Sequence, residues 1–162
     1  MSPRAALRLE HLGFEDVCDY VPGKSDWTAA GLPREGRSAE IPNAGDVVHQ
    51  DIPTCYFRQP VQDALDDLEA RGYAFCVAVD EAGVVLGMLY REEKERFDGE
   101  GTVEEAMRLG PTTIRANEQL EPLVERMSKA GVDGILVTDP EGRLIGLLDR
   151  HHAEISLKEA ST

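Results

Sequence analysis

At 162 residues, with 41% hydrophobic and 30% charged side chains, the chain has the length of one domain or of two small ones sharing a core, and it is too apolar for a disordered tail. No apolar run approaches the ~20 residues that span a bilayer, MSPRAALRLE has no apolar leader core, and three cysteines without paired spacing fit a reducing compartment, so a cytoplasmic protein is expected. Thirty-one acidic against seventeen basic residues give a net charge of -14, which disfavours nucleic-acid and membrane partners and leaves small, locally clustered anion sites as the alternative.

After an N-terminal segment (1–46), the chain repeats itself at a constant offset of 59 residues. Asp80, Gly83, Leu86 and Gly87 of DEAGVVLGMLY match Asp139, Gly142, Ile145 and Gly146 of DPEGRLIGLLD, and Thr54, Leu68 and Gly72 match Thr113, Met127 and Gly131. The units are 47–95 and 103–154, with a Gly-rich link at 96–102 and a polar tail at 155–162. The first opens with a helical start at GDVVH and a short strand at TCYF. A helix then carries Val61, Ala64, Leu65 and Leu68 at i, i+3, i+4 and i+7. Pro60 stands where a first helical residue belongs, and Gly72 caps the last turn. Two strands, AFCVAV and VVLGMLY, flank the DEAG turn and lead to a helical exit at REEKER. The second unit runs in the same order: a start at TVEEAMRL, a strand at TTIR, a helix with Leu120, Leu123, Val124 and Met127, strands ILVT and RLIGLL about DPEG, and an exit at RHHAEI. Pro122 moves the regular start of that helix to about Glu118 or Gln119. Each unit alone exposes its sheet face, so two must pack by their sheets.

The second unit resembles a cystathionine beta-synthase-type (CBS) domain, and the first resembles a degenerate copy of it. Together they are similar to the tandem pair often called a Bateman module. The resemblance implies an α+β, or α/β, CBS pair and a non-catalytic regulatory role. It implies an adenosine-containing ligand (AMP, ADP, ATP or S-adenosylmethionine) in clefts between the copies, and association into a disc of four domains. No cofactor is required and no metal is expected; His151 and His152 read as a surface pair. The apolar stripes of both helices predict a homodimer built on 61–71 and 119–130, and the effector protein is unknown.

In nucleotide-binding relatives the last strand enters its exit helix through a hydroxyl residue, two variable residues and an Asp that accepts from both ribose hydroxyls. Here those places hold Tyr90 and Glu93 in the first copy and Asp149 and His152 in the second. The resemblance then groups Thr54 and Phe75 with Asp149, Arg150 and His152 in one cleft, and Thr113 and Ile135 with Tyr90 and Glu93 in the other. The first grouping, with a carboxylate, an imidazole and Arg150 within one turn, is the favoured site for a phosphorylated adenosine.

LRLEHLGFEDVCDYVPGKSDWTAAGLPREG resembles the C-terminal end of a rhodanese-like domain, with VCDYV as its last strand, KSDWTAA as a short helix and Gly31-Leu32-Pro33 as the exit. Trp27 is expected to tie this remnant to the side of the pair. Cys18 falls on the strand rather than in an anion-binding loop, so sulfur transfer lacks its nucleophile. Two other readings stand beside the sensor: a dimerisation scaffold that has lost its ligand, and a fragment of a rhodanese-like sulfurtransferase.

Overall fold

The computed structural model describes residues 3–36, 39–97 and 100–160, so two residues of the Gly-rich link and the last two of the polar tail lie outside the described residues. Two sheets organise the molecule. In the first, β1 (Thr54–Tyr56), β2 (Phe75–Val79), β3 (Val85–Tyr90) and β4 (Arg108–Leu109) lie in that order; in the second, β5 (Thr113–Arg115), β6 (Gly134–Thr138) and β7 (Leu144–Asp149) do the same. The first two strands of each sheet are parallel and the next pair antiparallel, with a register shift at Ala78/Val79 and again at Val137/Thr138. The sequence repeat is therefore a repeat of geometry.

The crossover from β1 to β2 runs through α3 (Val61–Arg71), and that from β5 to β6 through α5 (Leu120–Ala130). Both follow α1 (Pro3–His11) and α2 (Gly23–Ala29) of the N-terminal segment. Pro122 falls in the first turn of α5, where its missing N–H leaves no ladder bond unmade. Gly72 and Gly131 end the two helices at φ 73 and 65, and the following Tyr73 and Val132 amides donate to the carbonyls of Leu68 and Met127. The apolar stripes expected to seek a second chain are spent at home: Val61, Ala64, Leu65 and Leu68 are at most 2% exposed, and Leu120, Leu123 and Met127 at most 3%.

The helical starts depart from the expected units, because each belongs to the other unit's core. Ala44, in a 3₁₀ turn at Ala44–Asp46, is buried among Ile114, Leu120, Leu123 and Val137. Val103 and Ala106 of α4 (Val103–Ala106) are buried among Val61, Leu65, Leu68 and Leu89. The exchange is reciprocal in detail. Asn43 bridges Gln119 as Thr102 bridges Pro60, each pair displaced by 59. Asn43 with Asp46 and Thr102 with Glu105 each form a capping box. His49 pairs with Leu147 at the β7 edge as Arg108 pairs with Met88 at the β3 edge. The two units meet about this approximate two-fold at their hairpin turns, where the Val85 and Leu144 amides donate to the Gly142 and Gly83 carbonyls at 3.0 Å each.

The exits differ. The second is a full helix, α6 (Arg150–Ala160), and the first a 3₁₀ turn at Arg91–Glu95. In the N-terminal segment KSDWTAA forms α2 as expected, but residues 17–21, expected as a strand, are not in one and pair with no sheet. Among the described residues no strand runs beside them, and the Tyr20 carbonyl accepts from Gly23 in a turn instead. Trp27 is half-buried, making an edge contact with Tyr20 at 5.2 Å and donating to the Pro33 carbonyl. The ties to the pair come instead from buried Thr28, from Ala29 packed on the second core, and from Arg34, which donates to both Asp46 oxygens at 2.8 and 2.7 Å. α1 has no buried residue.

Candidate functional site

A cavity of about 430 Å³ lies between the end of the first unit's β3 and the β6 face of the second. Met88 and Tyr90 line one side; Thr112, Arg126, Met127, Val132, Gly134, Ile135 and Leu147 line the other. Its walls are mostly apolar, with a phenol and a guanidinium as the polar handles. The Tyr90 ring is held in place by Arg108, whose guanidinium carbon sits 4.5 Å from the ring centroid, and by its own hydroxyl contact to Met88 Sδ at 3.6 Å. Glu93 and then Glu92, hydrogen-bonded to Arg108, strengthen its hold on its proton, so the cation over Tyr90 is permanent.

Of the four residues grouped around this cleft, Tyr90 and Ile135 line the same cavity. Thr113 is exposed beside the lining residue Thr112, so the hydroxyl at the wall is one position earlier than expected. Glu93 does not present a ribose-binding carboxylate. Its side chain is 3% exposed and receives Arg108 Nε at 2.9 Å and Arg96 Nη1 at 3.2 Å, so its acceptor sites are already occupied.

The other grouping is more altered. Phe75 occupies the place of Gly134, and its ring centroid lies 6.1 Å from that of Tyr90. The Asp149 carboxylate accepts from the backbone amide of His152 at 2.8 Å, capping α6 instead of facing a ligand. Arg150 is not a free phosphate cation: it donates to Asp133 at 2.6 Å, to Glu154 at 2.7 Å and to the Val132 carbonyl at 3.2 Å. The His152 ring packs against His49, centroids 4.6 Å apart, and Thr54 is exposed on β1.

Sequence reasoning missed Arg126, Gly134, Arg108 and His49. The repeat carries the signal for the last two: an offset of 59 sets His49 against Arg108 and His152 against Glu93, so a stacked imidazole pair in one half replaces an ion pair in the other. A separate cavity of about 620 Å³, larger than the cleft, lies between the N-terminal segment and the second unit, lined by Lys24, Trp27, Arg34, Asn117 and Gln119 among others. Cys18 is exposed at the edge of a further one beside Tyr20 and Trp27. Among the described residues no group of three or more His, Cys, Asp or Glu could hold a metal ion, and no helix is long and apolar enough to cross a membrane.

The CBS-domain family profile matches residues 44–93 and 103–153, more than half of the chain, and reaches none of the first 43 residues. No curated protein matches the sequence. Among solved structures the chain is similar to CBSX2 in complex with AMP, at 18% identity and TM-score 0.61, covering 75% of this chain and 99% of that one. It is similar to the cytosolic domain of the Mg2+ channel MgtE in complex with ATP, at 21% identity and TM-score 0.62, covering 74% of this chain and about half (51%) of that one. A third is the CBS domain pair of protein MJ0100 in complex with 5'-methylthioadenosine and S-adenosyl-L-methionine, at 20% identity and TM-score 0.55, covering 71% and 98%.

Proposed function

The chain belongs to the CBS-domain family, with two copies of the domain, and from that premise we propose that it is a non-catalytic regulatory module sensing an adenosine-containing ligand in the cleft between them. One observation carries the reading: Tyr90 of the first copy and Ile135 of the second line a single cavity with Gly134 and Arg126. An apolar slot with an open side at a glycine suits a flat ring, and Arg126 at its wall, exposed and bonded through one nitrogen to Glu118, keeps further donors for phosphate. That combination favours AMP, ADP or ATP over S-adenosylmethionine. Relatives of this fold solved with AMP, with ATP and with S-adenosylmethionine support the ligand class. The cleft favoured here is the opposite of the one expected to hold the ligand, because Asp149 and Arg150 are engaged within the protein.

The same reading makes the protein a cytoplasmic homodimer through α3 and α5 that acts on an effector protein. Since the apolar residues of these helices are buried within each unit, contact there is polar, through side chains such as Asp67, Arg71, Glu125 and Lys129. Light scattering at tens of micromolar checks it: a mass near 17.8 kDa removes the dimer and leaves the ligand reading intact.

The ligand test is a thermal-shift titration with AMP, ADP, ATP and S-adenosylmethionine to millimolar levels. A ligand at 100 times its Kd stabilises the native state by about 2.7 kcal/mol, which for this size raises Tm by about 5 to 11 °C. Tyr90→Ala removes the shift. No shift with any of the four overturns the sensor and leaves the dimerisation scaffold.

A further inference from the structure

The first unit also carries a reactive pair that ligand binding does not use. Cys55 on β1 and Cys76 on the neighbouring β2 belong to one buried cluster with Val61, Ala64, Leu65 and Leu68 of α3. Both are free thiols, 6% and 2% exposed, and their sulfurs lie 2.9 Å apart with the Cys76 thiol donating to Cys55. Packing alone does not call for them. The equivalent positions of the second unit are Ile114 and Ile135, which fill the same place in its core with hydrocarbon. Two thiols in contact in one core, where the other core has two isoleucines, are a chemical difference.

We propose that Cys55 and Cys76 form a two-electron redox site, a dithiol that hydrogen peroxide converts to an intramolecular disulfide. Cys55 reacts first, since it sits on the edge strand of its sheet and is the more exposed of the two. Its sulfur attacks one peroxide oxygen and the O–O bond breaks. The attacked oxygen stays on sulfur as a sulfenic acid, and the other leaves as water with the thiol proton. Cys76 then attacks the sulfenic sulfur, the S–O bond breaks, and a second water leaves with the Cys76 proton. Two thiols and one peroxide become one disulfide and two waters. The sulfurs have lost two electrons and the peroxide has gained them. The sulfurs need to approach by about 1 Å, and because Cys55 is in register with Ala78 and not with Cys76, closing the bond also shifts β1 against β2. Cys55 and burial both push the Cys76 thiol up, so it stays protonated in the resting dithiol. The product ties together the two strands that carry Thr54 and Phe75.

The experiment treats the purified full-length chain, and Cys18→Ser alongside it, with excess hydrogen peroxide, then removes the peroxide, denatures and alkylates. Expected in both is a monomer lighter by two hydrogens before alkylation, with Cys55 and Cys76 unlabelled, a linked peptide joining them, and full labelling restored by dithiothreitol. Cys55→Val, which copies the second unit's apolar choice, loses the product. Full labelling of Cys55 and Cys76 after treatment, oxidation to sulfinic acid without linkage, or linkage only between chains through Cys18 overturns the site. None of these readouts involves a nucleotide, so they stand or fall apart from the ligand reading.

Discussion

Two halves related by a shift of 59 residues share strand order, register shifts, helix caps and an exchanged start, yet they are held together by different means. In the first half Glu93 is buried against Arg108, Lys94 reaches to Asp66 and Glu69 on α3, and the exit is a 3₁₀ turn. In the second, His152 lies on His49, Ala153 stands where Lys94 would be and is fully buried, and the exit is an eleven-residue helix packed on α5. A small apolar residue lets a helix lie flat on its neighbour, whereas a lysine holds its element through solvent-exposed charge. The lesson is local: the repeat conserves backbone, and side chains at equivalent positions decide which exit continues as a helix.

The largest expected effect is where backbone meets backbone. A Cβ on Gly146 would come within 2.2 Å of the His49 carbonyl oxygen, while one on Gly87 would first meet the flexible Met107 Sδ at 2.7 Å and then the Arg108 oxygen at 2.9 Å. Gly146→Ala should cost about 3 kcal/mol and Gly87→Ala about 1 to 2. Urea melts of both variants decide it, and equal losses would mean that the two edge pairings are equally tight. Next comes the cleft. Gly134→Phe gives this cleft the residue that the first copy carries at the equivalent position, at a site where an added Cβ meets Leu147 only at an ordinary 3.4 Å. It should abolish the nucleotide-induced shift of about 2.7 kcal/mol while leaving the unliganded Tm within a few degrees; a retained shift would put the ligand elsewhere.

These positions also mark how much was legible from the sequence. Offset and periodicity gave two amphipathic helices to within one residue and gave the hairpins, because local spacing and turn chemistry determine them. The exchanged starts were not legible: Ala44 and Val103 read the same whether they cover their own core or the other one. For the site, Tyr90 and Ile135 could be placed together because the resemblance sets the early strands of one copy against the exit of the other. What Glu93, Asp149 and Arg150 bond to could not, since Arg108, the His152 amide and Asp133 become neighbours only after folding. VCDYV failed as a strand for the same reason: a strand needs a partner, which composition does not supply.

A smaller effect separates the two edge contacts. Glu93→Ala leaves Arg108 without its buried partner, but the guanidinium is 53% exposed and can rehydrate, so a loss of about 1 to 2 kcal/mol is expected, below that for a fully buried pair. His152→Ala removes an exposed ring contact and should cost under about 0.5 kcal/mol. Chemical denaturation of the two variants gives the order; a larger loss at His152 would reverse this account of the two halves.

The smallest effect tests the exits themselves. Hydrogen bonds from Gln62 and then Lys94 hold the Asp66 carboxyl below its usual range, and the bonds that Lys94 donates to Glu69 and then Asp66 raise its ammonium above its own usual range. A lowered carboxylate contributes its stabilisation above the ordinary carboxylate value and loses it as pH falls through the lowered one. A raised ammonium contributes below the ordinary lysine value and loses it as pH rises through the raised one. The tether of Arg91–Glu95 to α3 is therefore complete between roughly pH 4 and 10 and weakens outside that window. All these groups are exposed, so the effect is local and does not unfold the chain. Backbone amide signals followed from pH 5 to 3 should shift and broaden at residues 91–95 before those at 150–157, where Arg150 is also paired with Asp133 and Glu154 but the buried Ala153 holds the helix on α5 by packing. In Lys94→Ala the acid response at 91–95 should shrink to that of α6. If both exits respond together in the unmodified chain, charge does not distinguish how the two halves are held.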